Sequence, residues 1–276
     1  MLADAASACA SYGLSLRPGE TKILTNVRAR KGVAGDSHVM VNGMHIELLT
    51  RDSATKYLSR KICFQYSQNV ELDNRMRCAW RKFFVFKDEL TNAIVLLRSR
   101  LQLFGSAVTP RALYGAACWK LTADMGRRLL KNQRQMLRLV VGSGGWRITH
   151  DRDNSTSCSS DGEDKEEVFE TWVEWIQRTA QDIEHRLEDA GITDWIAQYR
   201  ARKWKLAGKL LSSDTHKWSY KVLMWSPGRA QSKRDRIGRP ARRWADGFAD
   251  TCGHDWTSAA WNSKEWAELE SRFTSH

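Results

Sequence analysis

The sequence predicts a mainly α fold with a small N-terminal β-hairpin or sheet, an α+β arrangement. Three observations carry this. From about residue 70 onward, apolar residues recur three and four apart, the period of an α-helix. Near the start, apolar residues alternate around Asn42-Gly43, a pair suited to a two-residue hairpin turn because both central residues take positive φ. The helical stretches are punctuated by capping residues and by glycine stops.

Residues 3–12 are small and alanine-rich and predict a helix, with Gly13 as its stop. A turn is expected at Pro18-Gly19, then a short strand over 22–25. Val39 and Val41, then Met44, Ile46 and Leu48, form the hairpin, and TKYLSRKI follows as a third strand. Residues 70–104 read as helix, broken near Thr91-Asn92. Leu72, Met76, Trp80, Phe83 and Leu90 mark its inner face, with Arg75, Arg77, Arg81 and Lys82 as cationic neighbours.

The stretch 106–142 reads as two helices. Thr109 is the expected N-cap of the first, ahead of Pro110. Thr122 caps the second, Asp124 sits in its first turn, and Gly142 ends it. Met125, Leu129, Met136, Leu137 and Val140 make one apolar face. Arg127, Lys131, Arg134 and Arg138, at i, i+4, i+7 and i+11, make a separate stripe of one sign. Such a stripe suits either a solvated surface or a helix that rests on a core and faces a polyanion.

Residues 149–167 are polar and acidic and are expected to form a disordered linker. From Val168, Trp172, Trp175, Ile176, Ile183 and Leu187 share a helical side that stops at Gly191. Asp194 starts another helix, with Trp195, Tyr199, Trp204 and Leu211 on its track and Arg200, Arg202, Lys203, Lys205 and Lys209 crowding it. A short helix ends before Pro227. The stretch up to Pro240 is loop-like and the chain is helical after it. Trp261, Trp266, Leu269 and Phe273 mark the last helix.

The net charge of +12 is unevenly spread. Residues 1–150 hold 24 Lys and Arg against 10 Asp and Glu, residues 151–199 hold 4 against 14, and residues 200–243 hold 14 against 2. Two basic blocks around an acidic one suggest two surfaces facing a polyanion, with nucleic acid the first candidate. The six cysteines form no C-x-x-C pair and read as reduced and intracellular, in nucleus or cytoplasm. No apolar run reaches the ~18 residues of a membrane span. His185, His216 and His254 lack metal-ligand spacing to one another, and Cys252-Gly253-His254 has no second pair, so no metal site is expected. No P-loop, G-x-S-x-G or H-E-x-x-H occurs, and no catalytic residue is assigned.

V-T-P-x-x-L-Y-G-x-x-x-W, carried by Val108, Thr109, Pro110, Leu113, Tyr114, Gly115 and Trp119, is followed by Gln133, Arg134, Met136, Leu137 and Arg138. This pattern resembles the thumb of reverse transcriptases from LINE-type (non-LTR) retrotransposons. Tyr12, Gly13, Leu14 and Thr21 resemble the segment after the palm's Asp-Asp hairpin. The 38–48 hairpin with Lys56, Tyr57 and Leu58 resembles the primer grip. Trp204, Trp218, Trp225-x-Pro227 and the block Gly238-Arg239-Pro240-x-x-Arg243-Trp244-x-Asp246 resemble the region after the thumb.

The resemblance implies a palm remnant over 1–66, a helical thumb over 67–148, the linker over 149–167 and a Trp-rich basic region over 168–276. It implies contacts to the phosphate backbone of RNA or an RNA–DNA hybrid. Arg127, Lys131, Arg134 and Arg138 are the first candidates, and Arg236, Arg239, Arg242 and Arg243 the second. Mg2+ is expected only for the full-length family enzyme, and no cofactor for this chain. No Asp-Asp dipeptide occurs, and Met1 falls just past its expected place, so the palm carboxylates, fingers and endonuclease would lie upstream. Two positions depart from the pattern: Glu20 stands where the family has Lys, and Ser59 where it has Gly. Two further readings stand beside this one: a stand-alone basic RNA-binding helical protein, and a non-functional translated transposon relic.

Overall fold

The computed structural model describes residues 2–15, 17, 19–25, 38–41, 43–64, 67–142, 169–225, 243–253 and 255–275. The turn at Pro18, Asn42, the 149–167 linker, Cys158, His254 and the arginines at 236, 239 and 242 lie outside them. The chain is mainly α-helical with a small N-terminal sheet, and it divides into two compact units, 1–77 and 78–276.

In the first unit, α1 (Leu2–Ser11) ends before Gly13, whose φ of +71° only glycine adopts easily. Strands β1 (Lys22–Leu24), β2 (His38–Val41) and β3 (Met44–Leu49) form a sheet of order β1-β3-β2, parallel between β1 and β3 and antiparallel between β2 and β3. The Val41–Met44 pairing closes the expected hairpin, and Ile46 is fully buried. Among the described residues β1 and β2 each pair only with β3, and Met40 on β2 is exposed.

TKYLSRKI is not a third strand of that sheet. It folds on itself as a separate hairpin of β4 (Thr55–Tyr57) and β5 (Arg60–Ile62). Leu58 and Ser59 make the turn at φ +46° and +63°, the conformation a type I′ turn demands, although neither is glycine. Ser59 therefore occupies a position where a glycine would be unstrained.

Helix α2 (Ser67–Val85) carries the hairpin's anchor. The Lys61 N–H donates to Glu71 Oε2 at 2.6 Å, Arg75 Nε meets Glu71 Oε1 at 2.7 Å, and Arg75 donates to the Ser59 carbonyl. Arg75 is thus a buried structural cation and not a surface neighbour of the inner face.

In the second unit, α3 (Lys87–Thr91) follows α2, and the break falls at Asn92 as expected. Helix α4 (Leu97–Leu103) then runs through a π turn over Phe104–Val108 into α5 (Thr109–Ala112). Thr109 does not cap a helix. Its neighbour Val108 is already helical, and the wider turn makes room for Pro110, whose ring would strike the carbonyl four residues back. Thr109 is buried instead, and its hydroxyl accepts a 2.9 Å bond from Trp195 Nε1.

Helix α6 (Ala123–Val141) matches expectation at both ends. Thr122 Oγ1 accepts from the Met125 N–H at 3.3 Å, and Gly142 closes it at φ +66°. Helix α7 (Trp172–Asp189) opens on a capping box between Thr171 and Glu174. Ile183 and Leu187 are buried as expected, but Trp172 is exposed; buried Thr179 lies on the inner face. Helix α8 (Trp195–Leu211) is capped by Asp194 and lies against both α6 and the C-terminal helices.

Helices α9 (Trp218–Met224), α10 (Asp246–Cys252), α11 (Trp256–Ala259) and α12 (Ser263–Ser275) complete the unit. The expected last helix is split, and Trp261, in the break, is exposed. Trp204, Phe248, Trp256, Trp266 and Phe273 fill a common core. Trp204 and Trp266 stack at 3.7 Å between ring centres. Gly208 permits this, since a Cβ there would lie 2.7 Å from Trp266 Nε1.

Candidate nucleic-acid interface

Helix α6 is positioned by its apolar face. Met125, Leu129, Met136, Leu137 and Val140 are buried, each removing apolar surface from water at ~25 cal/mol per Å2. Buried Gln133 ties the helix to α8 by accepting a 2.9 Å bond from the Trp195 N–H. Trp195 stacks on Phe104 with rings 6° from parallel.

The cationic stripe lies on the other side and divides in two. Arg127 is 79% exposed, with only a 3.5 Å contact to Asp124, and Lys131 is exposed. Arg134 pairs with Glu184 of α7. Arg138 donates from Nε to Thr179 Oγ1 at 3.0 Å and lies over the Trp175 ring at 5.4 Å. Burial, then the neighbouring charge of Arg134, holds the Arg138 pKa below its ordinary value. The acidic helix α7 therefore occupies the C-terminal half of the stripe and leaves the N-terminal half open.

Beside the open half stands the end of α2. Trp80 Nε1 donates to Asn132 Oδ1 at 2.9 Å, and Phe84 stacks on Trp80 at 5.7 Å. Phe84 and Arg81 are exposed. This aromatic and cationic border was legible only in part: the notion of an inner face found Trp80 but not the outward Phe84.

The other candidates are dispersed. Arg243 is exposed and bonds through Nε to Asp246 at 3.1 Å, while the arginines at 236, 239 and 242 lie outside the described residues. Lys56, Tyr57 and Leu58 are exposed at the β4–β5 turn of the first unit. In the same unit, Glu20 is exposed and Lys22 is committed to Glu47 at 2.7 Å. Of the cations crowding α8, Arg202 donates to the Leu113 carbonyl at 3.0 Å, and burial lowers its pKa. Lys203 is buried.

The sequence has no Asp-Asp pair, and among the described residues no group of three His, Cys, Asp or Glu side chains is placed to hold a metal ion. No helix among the described residues is long and apolar enough to cross a membrane.

A Caenorhabditis elegans protein, named as an uncharacterized transposon-derived protein, is 23% identical to this chain over 291 residues. The match takes in 100% of this chain and 89% of that one. It supports a transposon origin. No protein-family model matches the chain, and no solved structure matches it significantly.

Proposed function

We propose that the chain is the palm-tail, thumb and C-terminal part of a LINE-type reverse transcriptase, and that it holds RNA or an RNA–DNA hybrid by the phosphate backbone. The observation that carries the reading is the open half of α6. Arg127 and Lys131 stand exposed on a helix whose opposite face is anchored in the core. The order of thumb-like motifs and the transposon-derived relative are in line with it. Contacts of this kind supply affinity without sequence selectivity and weaken steeply with salt.

The test is a titration of the full chain with an RNA–DNA hybrid at several salt concentrations. Arg127→Glu combined with Lys131→Glu should lower the salt slope by roughly 1.4–1.8, the loss of two phosphate contacts. An unchanged slope removes α6 from the interface. Without paired palm carboxylates the chain alone should not extend a primer with any template and metal. Extension above background would overturn the inactive assignment.

A further inference from the structure

Helix α9 is apolar on both sides. Tyr220 and Leu223 pack inward against the core of Trp204, Phe248 and Trp266. Trp218, Val222 and the C-cap residue Trp225, at i, i+4 and i+7, share the opposite side and stand in water. Trp218 is 79% exposed and Trp225 67%, whereas Trp204, Trp256 and Trp266 of the same unit are buried. A contiguous exposed apolar face of this kind marks an interaction site.

A cleft opens beside this face. Leu206 and Leu210 of α8, Val222 and Trp225, and Trp244 and Trp256 line it. It encloses about 620 Å3, within the roughly 300–1,000 Å3 of small-ligand sites. Its wall is mainly apolar.

The surrounding charge narrows the partner. Residues 200–225 hold seven Lys and Arg against one acid, Asp214, whose Oδ1 accepts from the His216 N–H at 2.9 Å. Helix α9 itself carries no acid. Lys209, Lys217 and Lys221 are exposed, and none forms an ion pair with a described residue. Lys221 Nζ lies 5.3 Å from the Trp218 ring centre, so cation and ring are offered together. The lysines suit an anion, and the exposed indoles suit a flat ring stacked on them. A base-bearing strand supplies both. A peptide of Asp and Glu supplies only the first, and a neutral apolar helix neither.

We propose that α9 and the cleft beside it form a stacking platform for the unpaired bases of a single nucleic-acid strand, with Trp218 and Trp225 as its rings. At 1.5 Å per residue the two indoles stand roughly 10 Å apart along the helix, so each takes a different base. The α6 reading concerns the phosphate backbone alone, and this one stands without it.

The full chain is titrated with a short oligoadenylate and with an abasic strand of equal length, which keeps the phosphates and lacks the bases. The intact strand should bind about a hundredfold tighter, the gain from two stacks. Trp218→Ala and Trp225→Ala should each cut that preference by about tenfold, and Trp218→Phe, which keeps a ring, should cut it less.

Equal binding of the two strands overturns the proposal, as does a preference that both alanine variants leave unchanged. Binding of poly-glutamate that Trp218→Ala weakens, with no preference between the strands, assigns the face to an acidic peptide and overturns it equally. Should an alanine variant fail to fold, indole fluorescence of the unaltered chain decides. Stronger quenching by the intact strand than by the abasic one supports the platform, and equal quenching overturns it. The Arg127→Glu/Lys131→Glu chain should bind both strands more weakly and keep the preference, so failure of the α6 face and failure of the platform are read separately.

Discussion

The two halves of the α6 stripe share a helix, a spacing and a charge, yet they differ in what lies over them. Arg127 and Lys131 face outward. Arg134 and Arg138 meet Glu184, Thr179 and Trp175 of α7. The first half can serve a partner, whereas the second already serves the fold. A run of cations at helical spacing thus defines a surface, and a segment some forty residues further along decides its use.

The largest expected effect tests the platform under both halves. Trp195→Ala removes the Phe104 stack and the bond to Thr109, and should cost ~3–5 kcal/mol of stability in urea unfolding. The proposed binding by the first half and the Arg138–Thr179 contact of the second should then weaken together. Loss confined to one half would show that they do not share a support.

Arg138→Met should cost about 1–2 kcal/mol, since it removes the Thr179 bond and the contact with the Trp175 ring. The salt slope of nucleic-acid binding should stay constant. A fall in slope as large as that from Arg127→Glu would erase the distinction between the halves.

Glu184→Gln is the mildest change. The pair with Arg134 is partly exposed, so the stability loss should be ~0.2–1 kcal/mol. Releasing Arg134 should steepen the salt slope slightly. A flatter slope would mean that Glu184 does not restrain Arg134 in solution.

Local signals read well wherever the structure is set by neighbours in sequence. The β2–β3 hairpin closed at Gly43, the Thr122 and Asp194 caps and the stops at Gly13, Gly142 and Gly191 all depend on contacts a few residues long. The fold class followed from them. Distant partners were not legible. Thr109 looked like a cap because Trp195, which claims its hydroxyl, lies 86 residues away. Trp172 and Trp261 fit a helical period but sit outside the packed faces.

The β4–β5 turn was missed for another reason. Leu58 and Ser59 take positive φ without the glycine that announces such a turn, and the bond from the Lys61 N–H to Glu71 and the bond from Arg75 to the Ser59 carbonyl hold it to another element. At the candidate site, spacing found the stripe but not its cover. Lys203 stood among the surface cations of α8, because the rings of Trp244 and Phe248 that enclose it come from beyond a long polar stretch.

The π turn over Phe104–Val108 gives this helical segment slack in chain length. Each α-helical residue advances the rotation by about 100°, and the wide turn holds one residue more than an α turn does. Excising exposed Ser106 would close it to an α turn and take up that rotation within the turn itself. Arg100, which reaches the Val140 carbonyl, and buried Leu101 would stay on α6 while Thr109 stayed on Trp195. Substitutions at this solvent-facing serine should pass unnoticed, whereas a single-residue deletion should press the Pro110 ring against the carbonyl four residues back and leave the flanking residues in phase.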